Sequence, residues 1–149
     1  MTGKLDIGTG LSLPLDAVTQ TFALVGKRGV GKTHGAAVLA EELLEQKLQV
    51  VVLDPIGVWW GLRSSADGKK SGHPILVLGG EHGDLPLEAS AGRLVADFVI
   101  AKAASVVFDL GEFSKSDQAR FVTDFLERLY QKNRTPLHLV IDEADAFAP

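Results

Sequence analysis

The sequence predicts an α/β fold, a mostly parallel sheet with helices on both faces. Three observations carry this. Short apolar runs alternate with amphipathic stretches along the chain. The runs are continuously apolar, as in strands buried on both sides. A glycine-rich turn joins the first run to the first amphipathic stretch, the strand-to-helix connection that such sheets use.

Composition sets the outer bounds. The 149 residues suit one domain, and 46% hydrophobic with 23% charged residues can build one core. There are 15 Lys plus Arg against 19 Asp plus Glu, a formal net charge of -4. That excludes a basic nucleic-acid patch spread over the whole chain, and leaves room for a local stripe or an assembled basic pore. With no cysteine, disulfide frameworks, thiolate catalysis and Cys-ligated zinc are excluded. The opening MTGKLDIGTG lacks the apolar core of a signal peptide. The most apolar later stretch, Leu94 to Leu110, is broken by Asp97, Lys102 and Asp109, and no run approaches the roughly 20 residues that span a bilayer. A soluble, cytoplasmic protein is expected.

The elements follow in order. After a Gly-containing lead-in over residues 1–20, Thr21 to Val25 is a short apolar run ending in glycine, which reads as a buried strand. Ala36, Leu39, Ala40, Leu43 and Leu44 recur at helical spacing, with Glu41, Glu42 and Glu45 on other faces, so a helix of about four turns starts near Lys32. Val50 to Leu53 is too short for a helix and reads as a second strand. Gly57 to Pro74 is Gly-, Ser- and Lys-rich and holds both tryptophans, so a long loop with little regular structure is expected. Ile75 to Leu78 is a third strand, followed by an acidic loop, Gly79 to Asp84, that reads as solvated. Leu94, Val95, Phe98 and Val99 repeat the helical spacing, and Ser105 to Asp109 returns to strand. Ser114 with Asp117 resembles a capping box ahead of a helix striped by Val122, Phe125, Leu126 and Leu129. Leu137 to Ile141 is the last strand, and it runs directly into Asp142 and Glu143.

The strongest chemical signal is Gly26-Lys27-Arg28-Gly29-Val30-Gly31-Lys32-Thr33, which satisfies G-x-x-x-x-G-K-[ST] in full. Gly26, Gly29 and Gly31 let the backbone curl so that successive N–H groups point inward, while the following helix aims its positive end at the same spot. A triphosphate fits there. Lys32 would pair with the β- and γ-phosphates, and the Thr33 hydroxyl would ligate Mg²⁺. The nucleotide-binding candidates are therefore Gly26, Lys27, Arg28, Gly29, Val30, Gly31, Lys32, Thr33 and the adjoining His34. Lys27 and Arg28 either add positive potential near the γ-phosphate or stand solvated at the lip of the loop.

The second signal is the pair of carboxylates closing the last strand. In open parallel sheets ligands bind outside the carboxyl ends of the strands, so Asp142 and Glu143 are expected at the same pocket as the phosphate loop. Asp142 suits a direct or outer-sphere Mg²⁺ role, and Glu143 suits polarising the attacking water as general base.

These residues resemble the Walker A and Walker B motifs of P-loop NTPases, in the RecA-like class that keeps a catalytic glutamate beside the Walker B aspartate. More closely, the chain resembles the HerA and FtsK branch of that class. The similarity runs through LPLDAVTQTFALVG, GKRGVGKT, VVVLDPIGVWWGL and LVIDEADAFAP, from about Leu11 to Pro149. The resemblance implies ATP and Mg²⁺ as cofactors, Lys32 and Glu143 as catalytic residues, and Thr33 with Asp142 as magnesium ligands. It implies a homo-oligomeric motor, probably a hexamer, that moves double-stranded DNA through a central pore, with a partner nuclease in some members. It also implies a barrel-like N-terminal domain, a sensor strand between the Walker A and Walker B strands, and an arginine finger. None of these is found in the 149 residues. Residues 21–149 are therefore expected to be the N-terminal portion of a longer ATPase domain, ending after the Walker B strand.

Other readings bear on particular residues. A chain with no sensor or arginine finger could bind nucleotide without productive turnover. Asp54-Pro55-Ile56-Gly57 reads as the D-x-x-G of a GTPase, but it lies only 22 residues past Lys32 and no guanine-reading motif follows, so a strand-end Asp-Pro turn is the better account. A small-molecule kinase would need a lid with paired arginines, which is not seen. Trp59 and Trp60 fit stacking on a base, packing at a subunit seam, or folding back on the core. Arg63 fits action across an interface or an ordinary surface arginine. His34, His73, His82 and His138 lack metal-ligand spacing.

Overall fold

The computed structural model describes residues 3–65 and 67–147. Met1 and Thr2 of the lead-in, Ala66 of the long loop, and Ala148 and Pro149 of the final motif lie outside them. The chain divides into two compact units, Met1–Leu48 and Gln49–Pro149.

In the first unit, β1 (Lys4–Gly8) and β2 (Leu11–Pro14) form an antiparallel hairpin, with a register shift between Asp6 and Gly8 and Gly10 in the left-handed region at the turn. Leu5 turns inward, Leu15 packs under Gly3, and the Leu15 amide donates to the Gly3 carbonyl at 2.9 Å. α1 (Lys32–Glu45) buries Ala40 and Leu43. Its Glu42 accepts the Asp6 amide at 3.0 Å, tying the hairpin edge to the helix. The lead-in thus contains a hairpin.

Thr21 to Val25 departs from expectation. The segment forms no strand, and Phe22, Leu24 and Val25 are exposed, Val25 to 90%. A strand exists only where a neighbour accepts its ladder of hydrogen bonds, and this segment belongs to neither sheet. Apolarity alone does not supply that neighbour.

The second unit is a four-stranded, wholly parallel sheet in the order β4-β5-β3-β6. Its strands are β3 (Val50–Asp54), β4 (Leu76–Leu78), β5 (Val106–Asp109) and β6 (His138–Ile141). α2 (Gly92–Lys102) and α3 (Lys115–Lys132) pack against each other. They cover the face carrying Val51, Leu53, Val106 and Phe108, where Phe108 meets Phe121 and Phe125 with ring centroids 5.4 and 5.0 Å apart. The alternate side chains Val50, Val52, Val77 and Val107 are fully buried as well, so both faces of the sheet are covered. Ser114 caps α3, its Oγ accepting the Asp117 amide at 3.2 Å. Arg128 on α3 forks onto Asp97 of α2 at 2.7 and 2.9 Å.

The register places Asp109, Asp54 and the chain just after Ile141 side by side at the carboxyl ends of β5, β3 and β6. β6 pairs with β3 alone and is an edge strand. Among the described residues no helix is long and apolar enough to cross a membrane.

Candidate nucleotide site

The phosphate-loop residues lie in the first unit. Gly29 and Gly31 adopt φ of 82° and 89°, values that residues with a Cβ rarely take, and a Cβ at either would meet nothing within 4 Å. Both conformations reverse the chain inside the loop, and Gly31 then serves as the N-cap of α1. The first turn of that helix carries no acidic side chain, so no carboxylate of its own occupies the positive end of the helix dipole. Lys32 folds its ammonium back over the loop, donating to the carbonyls of Gly26 at 3.0 Å and Lys27 at 3.2 Å. Lys27, Arg28, Val30 and His34 are exposed around it, and Thr33 is half-buried on the first turn. An exposed glycine-rich loop with a fixed cation and a helix N-terminus is chemically suited to phosphate.

The carboxylates lie in the second unit, at the strand ends that the register brings together. Asp54 closes β3 and is fully buried. Its Oδ1 accepts the amides of Ile56 and Gly57 at 3.0 and 2.8 Å, and its Oδ2 accepts those of Val58 and Trp59 at 2.7 and 2.8 Å. Burial pushes the carboxyl above its ordinary value, with the four amides pulling the other way. This is the strand-end turn, with no γ-phosphate sensor needed to explain Asp54. Gly57 has φ of 86°, and a Cβ there would come 2.9 Å from Asp109 Oδ1. Gln118 of α3 fastens the neighbouring backbone, donating to the carbonyls of Pro55 at 3.1 Å and Leu110 at 2.9 Å.

The turn delivers Trp59, only 3% exposed, whose indole Nε1–H donates to Asp142 Oδ2 at 2.9 Å. The other oxygen, Oδ1, accepts the amide of Glu143 at 3.0 Å. Glu143 itself is exposed and sits at φ 47°, ψ 47°, in the left-handed region. Trp59 thus folds back inside its own unit. Trp60 stacks on His82 with ring centroids 3.9 Å apart.

The stretch expected to be irregular contains a 3₁₀ helix, Trp59–Arg63, and a bridge between Ser64 and Ser71. Nor is the 79–84 loop merely solvated. Arg63 pairs with Asp84 and donates to the His82 carbonyl at 2.6 Å, while Asp84 accepts the Val77 amide at 2.8 Å. That amide, followed by the Arg63 guanidinium, holds the Asp84 carboxyl below its usual value despite some desolvation.

Residues 1–70 match the family described as the central domain of helicase HerA. Over those residues the chain is similar to part of that domain. The matched segment includes the whole phosphate loop, Asp54 and both tryptophans; Asp142 and Glu143 lie beyond it. No curated relative and no solved structure matches the chain.

The side-chain types at Thr33 and Asp142 fit magnesium chemistry. A hydroxyl and a carboxylate are hard oxygen donors, the kind that magnesium takes. Among the described residues no group of three or more His, Asp or Glu forms an all-protein metal cage. Motif reading missed Trp59, Asp54 and Gln118 as builders of the site. Only the Asp-Pro-x-Gly turn hinted at the first two.

Proposed function

We propose that this chain binds MgATP and hydrolyses it as the core of an oligomeric, DNA-translocating motor of the HerA kind. The observation that carries the proposal is the phosphate loop, with Gly29 and Gly31 in the left-handed region ahead of α1 and Lys32 folded over the loop, inside the segment that matches the family.

In this reading the loop amides and Lys32 neutralise the β- and γ-phosphates. Thr33 and Asp142 would hold Mg²⁺, which would supply positive charge against the phosphates. Glu143 takes a proton from the water that attacks the γ-phosphorus, and ADP and phosphate leave. Catalysis of this type is mostly positioning and electrostatics, so an isolated subunit turns over slowly. Assembly into a homo-oligomeric hexamer, action on double-stranded DNA and pairing with a nuclease rest on the family likeness.

The test is turnover at assembly-competent concentration with duplex DNA present. Glu143→Gln should bind ATP as wild type does and hydrolyse it at least about a hundredfold more slowly, the usual worth of a general base. Equal turnover in the two proteins would remove Glu143 from the mechanism. Tight binding with no hydrolysis by wild type at any concentration would instead make the chain a nucleotide-binding module.

A further inference from the structure

The side chain of Asp142 is held by a residue that no motif assigns. A buried indole has one donor and no acceptor, so it must find an oxygen or leave its N–H unsatisfied. Trp59 finds Asp142 Oδ2 at 2.9 Å, 83 residues away in sequence. Its own backbone amide is meanwhile bound to Asp54 Oδ2 at 2.8 Å. The Asp54 turn is anchored in its turn by the Leu110 amide on the Asp54 carbonyl at 2.8 Å and by Gln118 on the Pro55 carbonyl at 3.1 Å. A continuous set of hydrogen bonds therefore runs from the core of the second unit to the carboxylate at the end of β6.

Resting on the nucleotide reading above, we infer that Trp59 is a positioning residue for the magnesium-binding carboxylate. Its indole N–H fixes how Asp142 meets the ion, and the Asp54 turn fixes Trp59. With Oδ2 engaged by the indole and Oδ1 by the Glu143 amide, rotation of the carboxylate breaks a hydrogen bond. Partners behind a metal ligand act in this way, and losing one typically weakens metal-dependent binding about 10- to 100-fold. Trp60, stacked on His82, supplies the matched control.

The experiment is calorimetric titration of the protein with ATP, once in excess Mg²⁺ and once in EDTA, for wild type, Trp59→Phe and Trp60→Phe. Wild type and Trp60→Phe should gain affinity from Mg²⁺. Trp59→Phe should lose about tenfold of that gain while its affinity in EDTA is unchanged. If Trp59→Phe keeps the full magnesium gain, or loses affinity equally in both buffers, the positioning role is overturned and the nucleotide reading stands. If wild type binds no ATP in either buffer, both fall.

Should Trp59→Phe fail to fold, Trp60→Phe leaves Trp59 as the sole indole, because the chain has two tryptophans. Its Nε1–H resonance should exchange slowly with solvent and shift when Asp142→Ala is added. A fast-exchanging resonance indifferent to Asp142 overturns the inference.

Discussion

Glu143 holds a conformation that side-chain-bearing residues avoid, at a cost of order 1–3 kcal/mol. Two other non-glycine residues share the left-handed region, Lys47 just past α1 and Ala103 at the end of α2, and there it does the ordinary work of stopping a helix. Glu143 ends no helix. It follows a strand, is exposed, and leads into the short 3₁₀ turn Ala144–Ala146. Two glycine substitutions separate the cases. Ala103→Gly should raise stability to unfolding by up to about 1 kcal/mol and leave ATP turnover untouched. Glu143→Gly should relieve similar strain and abolish turnover. Urea denaturation beside a hydrolysis assay checks both, and a clear loss of stability in Glu143→Gly would contradict this account of the turn.

At the scale of elements, the turn after β3 governs the site, and its acid response has a definite sign. Because burial raises the folded-state value of Asp54, its contribution is fully present below the ordinary 3.8 and is lost as pH rises through the raised value. Asp97, held low first by its hydrogen bond to Arg128, and Asp84, held low first by the Val77 amide, behave oppositely. Their contributions are present above the ordinary value and lost as pH falls through the lowered ones. Asp54 thus offsets part of the acid loss in wild type. In Asp54→Asn the drop in unfolding free energy from about pH 7 to about pH 3 should be larger than in wild type. An equal or smaller drop would contradict the assignment. The legibility of these elements divides along the same line. β3, β5, α2 and α3 were legible because Val-rich runs and the Val122-Phe125-Leu126-Leu129 stripe are local patterns, and Ser114 announced its helix. The Thr21–Val25 strand was misread because pairing depends on a neighbour that periodicity cannot see. The β1–β2 hairpin left a signal, with Leu5 and Ile7 alternating against Lys4 and Asp6 ahead of Thr9-Gly10, which a search for longer apolar runs passes over. The bond from Trp59 to Asp142 joins residues too far apart for any spacing rule.

For the whole molecule, the two chemical groups occupy separate compact units, the phosphate loop in Met1–Leu48 and the carboxylates in Gln49–Pro149. The strand pattern of the second unit ends on a β6 that is paired on one side only, an edge four residues long and only partly buried. A net charge of -4 means that any grip on duplex DNA must come from a local basic stripe, which should weaken steeply with added salt. Beneath these proposals lies one claim, that the Gly26–Thr33 loop binds the phosphates of ATP through Lys32. Equilibrium titration of wild type and Lys32→Ala with ATP in Mg²⁺ tests it most directly. Wild type should bind saturably, and Lys32→Ala should bind at least about tenfold more weakly, the worth of a charge-assisted hydrogen bond. Equal affinity in the two proteins, or no saturable binding by wild type, would contradict it.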